Sequence, residues 1–176
     1  LMRFEFNLRR QTDADGNVTT YEYDLDDRRT NVTYPGNRSY TFTYDLRGRQ
    51  LTESGPEGWQ LSYGYDFANN RTSTTDAEGR TRTYQYDDLN RLTKVIDPLG
   101  KVTELKYDDA GNLIERIDPL LRSTTFVYDD LNRVRQIIDP VNGLQDPTEM
   151  FYDSFGNLVK TIDPLDRATE YKYDKL

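Results

Sequence analysis

Large apolar residues recur along the chain in pairs two positions apart, separated by polar runs rich in turn formers. Tyr21/Tyr23, Phe42/Tyr44, Tyr63/Tyr65, Tyr84/Tyr86, Leu105/Tyr107, Phe126/Tyr128, Met150/Tyr152 and Tyr171/Tyr173 all keep this spacing. Alternate residues of a strand share a face, so each pair predicts a strand with one apolar side. A second apolar set comes from the other strand of each unit: Leu92, Ile96, Leu113, Ile117, Val134, Ile138, Leu158 and Ile162. With Thr, Glu, Lys and Arg alternating between these positions, the expectation is an amphipathic sheet that is apolar on one side.

The second residue of each pair is followed by Asp, and the Tyr-Asp dipeptide begins at positions 23, 44, 65, 86, 107, 128, 152 and 173. Successive intervals are 21 residues except one of 24, a fixed beat that marks a tandem-repeat architecture. The stretch from Tyr86 to Tyr107 serves as the type unit. It reads as a turn (Asp87-Asp88-Leu89-Asn90), a strand (Arg91 to Ile96), a second turn (Asp97-Pro98-Leu99-Gly100) and a returning strand (Lys101 to Tyr107). Asp caps the second turn through its side chain, Pro presets φ at the next position, and Gly accepts the left-handed conformation. Six of the seven prolines (Pro35, Pro56, Pro98, Pro119, Pro140, Pro164) occupy that one slot. In the first turn the left-handed slot holds Asp27, Gly48, Asn69, Asn90, Gly111, Asn132 and Gly156, all residue types that tolerate positive φ. In the second turn Leu121 is the exception, so that turn is expected to be strained or of another type.

The odd repeat length carries a constraint. Side chains alternate with period 2, so two identical three-residue hairpin turns per unit would leave Tyr86 and Tyr107 on opposite faces. Either the two turns differ or every unit contains a β-bulge, and one irregularity per unit is predicted. The 24-residue interval places a three-residue insertion near 141–147, which must bulge out as a loop if later side chains are to keep their faces. Both ends fall in mid-unit: Met2 takes the place of a motif Tyr, with Asp13 and Gly16 downstream in phase, and the chain stops just after Tyr173-Asp174. The organisation expected is one array of about eight repeats over 1–176, part of a longer chain or associating edge to edge through its open strands.

Composition narrows the chemistry. The chain is 35% hydrophobic and 31% charged, with a mean hydropathy of −0.91. Those values alone lean towards disorder. The 14 tyrosines point instead to a thin, half-wet sheet, because the ring is buried while the hydroxyl stays solvated. There is no Cys and no His, which removes Cys/His nucleophiles, imidazole acid–base chemistry and thiolate or imidazole zinc sites. A net charge of −8 with no basic stripe argues against nucleic acid. No apolar run is long enough for a transmembrane helix, and residues 1–5 do not form a signal peptide.

Units such as Tyr86-Asp87-Asp88-Leu89-Asn90-Arg91-Leu92 and Ile117-Asp118-Pro119-Leu120 resemble the RHS (rearrangement hotspot) or YD repeats of bacterial polymorphic toxins, Tc-toxin cocoon components, wall-associated bacterial proteins and animal teneurins. The resemblance runs from Met2 to Asp174. It implies an all-β chain of tandem hairpins forming a continuous curved antiparallel sheet, an open segment of a β-shell. In the toxins that shell encloses a C-terminal toxic domain, separated by self-cleavage at a downstream core segment; neither segment is found in these residues.

Three features invite sharper chemistry. The Asp-rich turns (Asp87-Asp88, Asp108-Asp109, Asp129-Asp130) could suggest calcium, but each offers two carboxylates followed by Leu or Ala, where calcium needs six to eight converging oxygens. Glu53 and Glu57 could suggest glycoside hydrolysis, but nothing else marks their unit as special. Trp59 stands in a slot that is basic elsewhere (Arg38, Arg80, Lys101, Arg122, Arg167) and is a candidate contact residue. Asp87 with Arg91 and Asp97 with Lys101 are expected to be surface pairs that shape turns. The expectation is therefore no catalytic, cofactor or metal residue. The chain reads as a structural segment of a secreted or cell-surface protein, partnered by adjoining segments or an enclosed cargo or toxin domain. A carbohydrate-binding or adhesion module, with glycans as partners, is the alternative.

Overall fold

A computed structural model describes residues 7–139 and 146–174. The chain divides into two compact units, Leu1–Gln85 and Tyr86–Leu176. The first contains β1 (Arg10–Thr12), β2 (Val18–Tyr23), β3 (Arg29–Tyr34), β4 (Arg38–Tyr44), β5 (Gln50–Ser54), β6 (Gln60–Tyr65), β7 (Arg71–Asp76) and β8 (Thr81–Tyr86). The second contains β9 (Leu92–Ile96), β10 (Val102–Tyr107), β11 (Leu113–Ile117), β12 (Ser123–Tyr128), β13 (Val134–Ile138), β14 (Thr148–Tyr152), β15 (Leu158–Ile162) and β16 (Ala168–Glu170). Within each unit the strand order is the chain order and neighbours pair antiparallel, so both are open meanders. Among the described residues the single helical element is a 3-10 turn at Pro56–Gly58. The fold is all-β, as the alternation predicts.

The two turns of a unit have the same form. At Asp97–Lys101, Asp97 N–H donates to the Lys101 carbonyl (2.9 Å) and Gly100 N–H to the Asp97 carbonyl (2.9 Å). At Asp108–Asn112 the same two bonds measure 3.0 and 3.1 Å. Identical turns demand a bulge, and the ladder shows it. Lys94 pairs with Glu104 and Glu104 with Ile117, but after Lys106↔Glu115 the register slips and Tyr107 pairs with Leu113, leaving Ile114 with no opposite residue. The same slip occurs before Tyr23, Tyr44, Tyr65, Tyr128 and Tyr152. Ladder-equivalent residues such as Lys94 and Ile117 are thus 23 positions apart, an odd number, so residues 21 apart share a face. Each unit is also staggered by two residues along the strand, about 6.6 Å.

One expectation is corrected here. Leu113 and Ile117 do not share a face: Leu113 lies opposite Tyr107, whereas Ile117 lies opposite Glu104. The bulge falls inside this strand and reverses the alternation midway, so Ile96, Ile117, Ile138 and Ile162 sit on the face away from the motif tyrosines. Apolar residues therefore line both sides, and a one-sided sheet does not result. Burial is correspondingly shallow. Val32, at 1% exposure, is the one fully buried apolar residue among those described.

All seven left-handed positions expected in the first turn have positive φ, between 59° (Asn132) and 91° (Gly111). Leu121 is left-handed too (φ 61°) and keeps the ordinary turn, its N–H donating to the Asp118 carbonyl at 2.9 Å. Its turn is strained rather than different. Two other turns do depart: Gly36 and Asn37, and Glu57 and Gly58, are consecutive left-handed residues. Both lack the capping Asp, with Tyr34 and Gly55 in its place. Without a carboxylate to accept the N–H two residues on, the central peptide flips. The insertion near 141–147 lies mostly outside the described residues; beyond it Tyr152↔Leu158 and its bulge retain the repeat register.

Candidate functional site: repeat turns and an aromatic concavity

From Asp24 to Asp153, the motif Asp is spent on its own turn. Asp87 Oδ1 accepts from Leu89 N–H (3.0 Å) and Arg91 N–H (2.9 Å), and Oδ2 accepts from Arg91 Nε (2.8 Å). Where the fourth residue on is Asn, as at Asn112, its Nδ2 replaces the guanidinium (2.9 Å to Asp108 Oδ2). These donors hold the carboxyls below the usual carboxylate range: backbone N–H donation leads at Asp87 and Asp163, the Arg side chain at Asp118 and Asp129, and the Asn side chain at Asp108 and Asp153. Lys101 meets Asp97 through its backbone N–H (2.9 Å).

The arginines go further than pairing with their own Asp. Arg49 Nη1 donates to the carbonyl of Asp66, in the next Tyr-Asp turn (2.8 Å), while its guanidinium stands 4.7 Å from the Tyr65 ring centre. Arg91 repeats this with Asp108 (2.8 Å) and Tyr107 (4.9 Å), and Arg28 with Asp45 (3.1 Å) and Tyr44 (5.2 Å). The motif tyrosines tie the strands the other way. Tyr44, Tyr65, Tyr107 and Tyr128 donate to the carbonyls of Arg29, Gln50, Leu92 and Leu113, each 15 residues earlier, at 2.8–2.9 Å. Tyr152 reaches 18 residues back to Val134 (2.7 Å), so the insertion leaves the contact intact.

In the first unit one region breaks the pattern. Tyr34 packs edge-on against Tyr40 (5.8 Å, 86°), and Tyr40 against Trp59 (6.2 Å, 68°). Gly55 makes room for them, since a Cβ there would stand 2.8 Å from Tyr40 Cε1. A concavity of 460 Å³ opens over Val32, Tyr34, Tyr40 and Phe42, with Arg29, Arg38 and Glu53 on its walls. A second, of 410 Å³, shares Arg38 and Tyr40 and continues past Pro56 to Trp59. Glu53 and Glu57 line different concavities, and Glu53 Oε2 already accepts from Gln50 (3.2 Å) and Tyr63 (3.3 Å). Among the described residues no three acidic side chains gather as a metal site, and none of their helices is long and apolar enough to cross a membrane.

The family model described as RHS Repeat matches residues 7–39, 44–81, 65–103 and 107–143, more than half of the chain. The chain belongs to the RHS repeat family. No curated protein matches it. Among solved structures it is similar to TcdB2-TccC3-TEV (TM-score 0.71, 16% identity, 87% of this chain and 10% of that one) and to TcdB2-TccC3-Cdc42 (0.66, 17%, 88% and 9%). It is also similar to the Tc holotoxin pore of Photorhabdus luminescens (0.64, 15%, 96% and 12%). The chain thus spans about a tenth of the length of these proteins, and at such identities the likeness is one of fold.

Within this RHS array, sequence reasoning singled out Trp59 but missed Tyr34, Tyr40 and Gly55. Their signal was available in the repeat itself: the cap slot is Asp at 13, 76, 97, 118, 139 and 163, and two consecutive units lose it at Tyr34 and Gly55.

Proposed function

We propose that this chain is a non-catalytic wall segment, a single array of about eight RHS repeats over 1–176, belonging to a large secreted or surface protein. The wall encloses or scaffolds a toxin or other cargo domain, and its partners are adjoining segments of the longer chain and that cargo. One observation carries the reading. In unit after unit the Tyr hydroxyl and the Tyr-Asp carboxylate are consumed by the chain's own backbone, which leaves the recurring geometry of the repeat nothing with which to perform chemistry. A repeat that spends its polar groups on its neighbours builds a surface. The test is limited proteolysis of the chain expressed with its adjoining segments and a downstream domain. Survival of that domain supports enclosure; digestion at the rate of the isolated domain defeats it.

A glycan-binding or adhesion module is the second reading, favoured by Trp59 at 43% exposure. Trp59 emission that stays unchanged in millimolar sugar removes it.

A further inference from the structure

Four asparagines stand in Asn-X-Ser/Thr, the tripeptide that accepts an N-linked sugar: Asn17, Asn31, Asn37 and Asn70, all in the first unit. The structure sorts them. The Nδ2 atoms of Asn17 and Asn70 donate to the capping carboxylates of Asp13 (2.9 Å) and Asp66 (3.0 Å), the bond that Arg makes in other turns. Asn31 lies half-buried within β3, and its Oδ1 accepts from Thr33 (3.1 Å) and Ser39 (3.2 Å). Asn37 is exposed at a hairpin tip, and its side chain makes no hydrogen bond among the described residues.

That freedom follows from a change in the same turn. Tyr34 occupies the slot of the capping Asp, so no carboxylate is there to engage the Asn37 amide. Strand pairing closes at Tyr34↔Arg38, which leaves Pro35, Gly36 and Asn37 as the tip, with Gly36 and Asn37 both left-handed (φ 79° and 58°). The space beside the tip is open, since a Cβ added to Gly36 would meet nothing within 4 Å. A left-handed Asn is not by itself the signal: Asn69, Asn90 and Asn132 share that conformation, with Arg71, Leu92 and Val134 two residues on. Among the turns of the Pro slot, the one at 34–39 alone joins an aromatic residue in the cap position, Asn in the left-handed position and a hydroxyl residue two further on.

We propose that Asn37 is an N-glycosylation acceptor and that Tyr34 is the platform on which the first sugar rests. The donor is a polyisoprenyl-diphosphate oligosaccharide, delivered by a membrane oligosaccharyltransferase. Asn37 Nδ2 bonds to the anomeric carbon, and the bond from that carbon to the diphosphate oxygen breaks. The diphosphate leaves with the electron pair, and Nδ2 gives up one proton to the transferase. Ser39 supplies the hydroxyl that the tripeptide requires. Tyr34, 41% exposed, stands at the base of the tip and offers its ring to the C–H face of the sugar while its hydroxyl stays solvated. Transfer precedes folding, so the fold's part is to keep the modified side chain outside. A sugar on Asn37 displaces no bond of the fold, whereas one on Asn31 would displace the contacts from Thr33 and Ser39. The inference rests on export of the chain as part of a secreted or surface protein.

The experiment expresses the whole chain behind a supplied signal peptide in a secretory eukaryotic cell. Peptide mass spectrometry of the secreted product, before and after peptide N-glycosidase, should find the glycan at Asn37. It should be lost in Asn37→Gln and in Ser39→Ala and kept in Ser39→Thr. The glycosylated chain should also unfold at higher urea than the enzymatically deglycosylated one, and Tyr34→Asp, which restores the usual cap, should shrink that difference. An unmodified Asn37 in the secreted chain overturns the acceptor, and a urea shift unchanged by Tyr34→Asp overturns the platform. Because the signal peptide is supplied, either failure leaves the export reading standing. Retention of the natural protein inside its own cell would defeat that reading and not the acceptor chemistry.

Discussion

Leu121 offers a direct measure of how strongly the turn dictates the backbone. Its side chain is 85% exposed, so substituting it removes little burial, yet its φ of 61° places a branched residue where other units have Gly16, Gly79 and Gly100. A left-handed non-glycine residue costs about 1–2 kcal/mol, of which glycine's freer unfolded chain takes back about 0.5–1 kcal/mol. Leu121→Gly should therefore stabilise the hairpin by about 0.5–1 kcal/mol, a two- to fivefold change in its opening equilibrium. Hydrogen exchange of the Asp118 amide, which donates to the Arg122 carbonyl at 2.9 Å, reports this opening without altering the exchanging residue, and should slow by that factor. Gly100→Leu is the mirror experiment. Nothing lies within 4 Å of the Cβ it would add, so only strain is introduced, and exchange at Asp97 should quicken about equally. Unchanged or faster exchange at Asp118 in the Leu121→Gly variant would refute the argument that the turn imposes this backbone on whatever residue it receives.

Three further outcomes are expected. Thr74 Oγ1 is buried with no hydrogen-bond partner among the described residues, so Thr74→Val, which keeps the shape, should raise stability by about 1 kcal/mol in urea unfolding; a loss would show that the hydroxyl is satisfied. Tyr107→Phe keeps the ring near Arg91 but deletes the bond to the Leu92 carbonyl, costing about 0.5–1.5 kcal/mol, to be read as faster amide exchange in β9 and β10. Asp87, Asp108, Asp118, Asp129, Asp153 and Asp163 all have carboxyls lowered by hydrogen bonding, so on acidification the unfolded chain takes up protons first. Their stabilisation is complete above the ordinary value of 3.8 and disappears as pH falls below it towards the lowered folded values; a urea midpoint that rises between pH 4 and pH 2 contradicts this.

What the chain reveals when read as a string depends on range. Turn chemistry is local, and Asp97-Pro98-Leu99-Gly100 announces its geometry within four residues. An irregularity was reachable as well, because parity over an odd repeat forces either unlike turns or a bulge, and the identical turns of the structure leave the bulge. Its location was not, since parity is satisfied wherever the extra residue falls. That is why the face of Ile117 was misassigned: with Ile114 unpaired, Leu113 and Ile117 lie on opposite sides although they are four apart. The Arg91 contact to the Asp108 carbonyl spans 17 residues and belongs to the stagger between hairpins, which no single unit encodes. The aromatic cluster was legible only in part: the lost caps at Tyr34 and Gly55 mark the place, but not that the residues around it meet. Trp59 taken alone looks like drift at a tolerant position, and only the clash of a Cβ at Gly55 with Tyr40 shows that the substitutions form a set.

The bulge also accounts for why the motif tyrosine stands where it does. Inserting Ile114 opposite the end of β10 separates the local pairing just before Tyr107, where an unbroken ladder would have continued. Tyr107 compensates from that position: its hydroxyl closes on the Leu92 carbonyl of the preceding strand, and its ring receives the Arg91 guanidinium. The irregularity needed to keep successive units facing the same way is therefore secured by the residue that defines the repeat. With Val32 the one fully buried apolar side chain among those described, the backbone ladder and such closures, rather than a deep core, join neighbouring strands within each unit. A sheet stabilised in this way can lengthen by whole units without enlarging a core, and it accepts three additional residues in the interval between two motif tyrosines, as the intact Tyr152–Val134 contact shows.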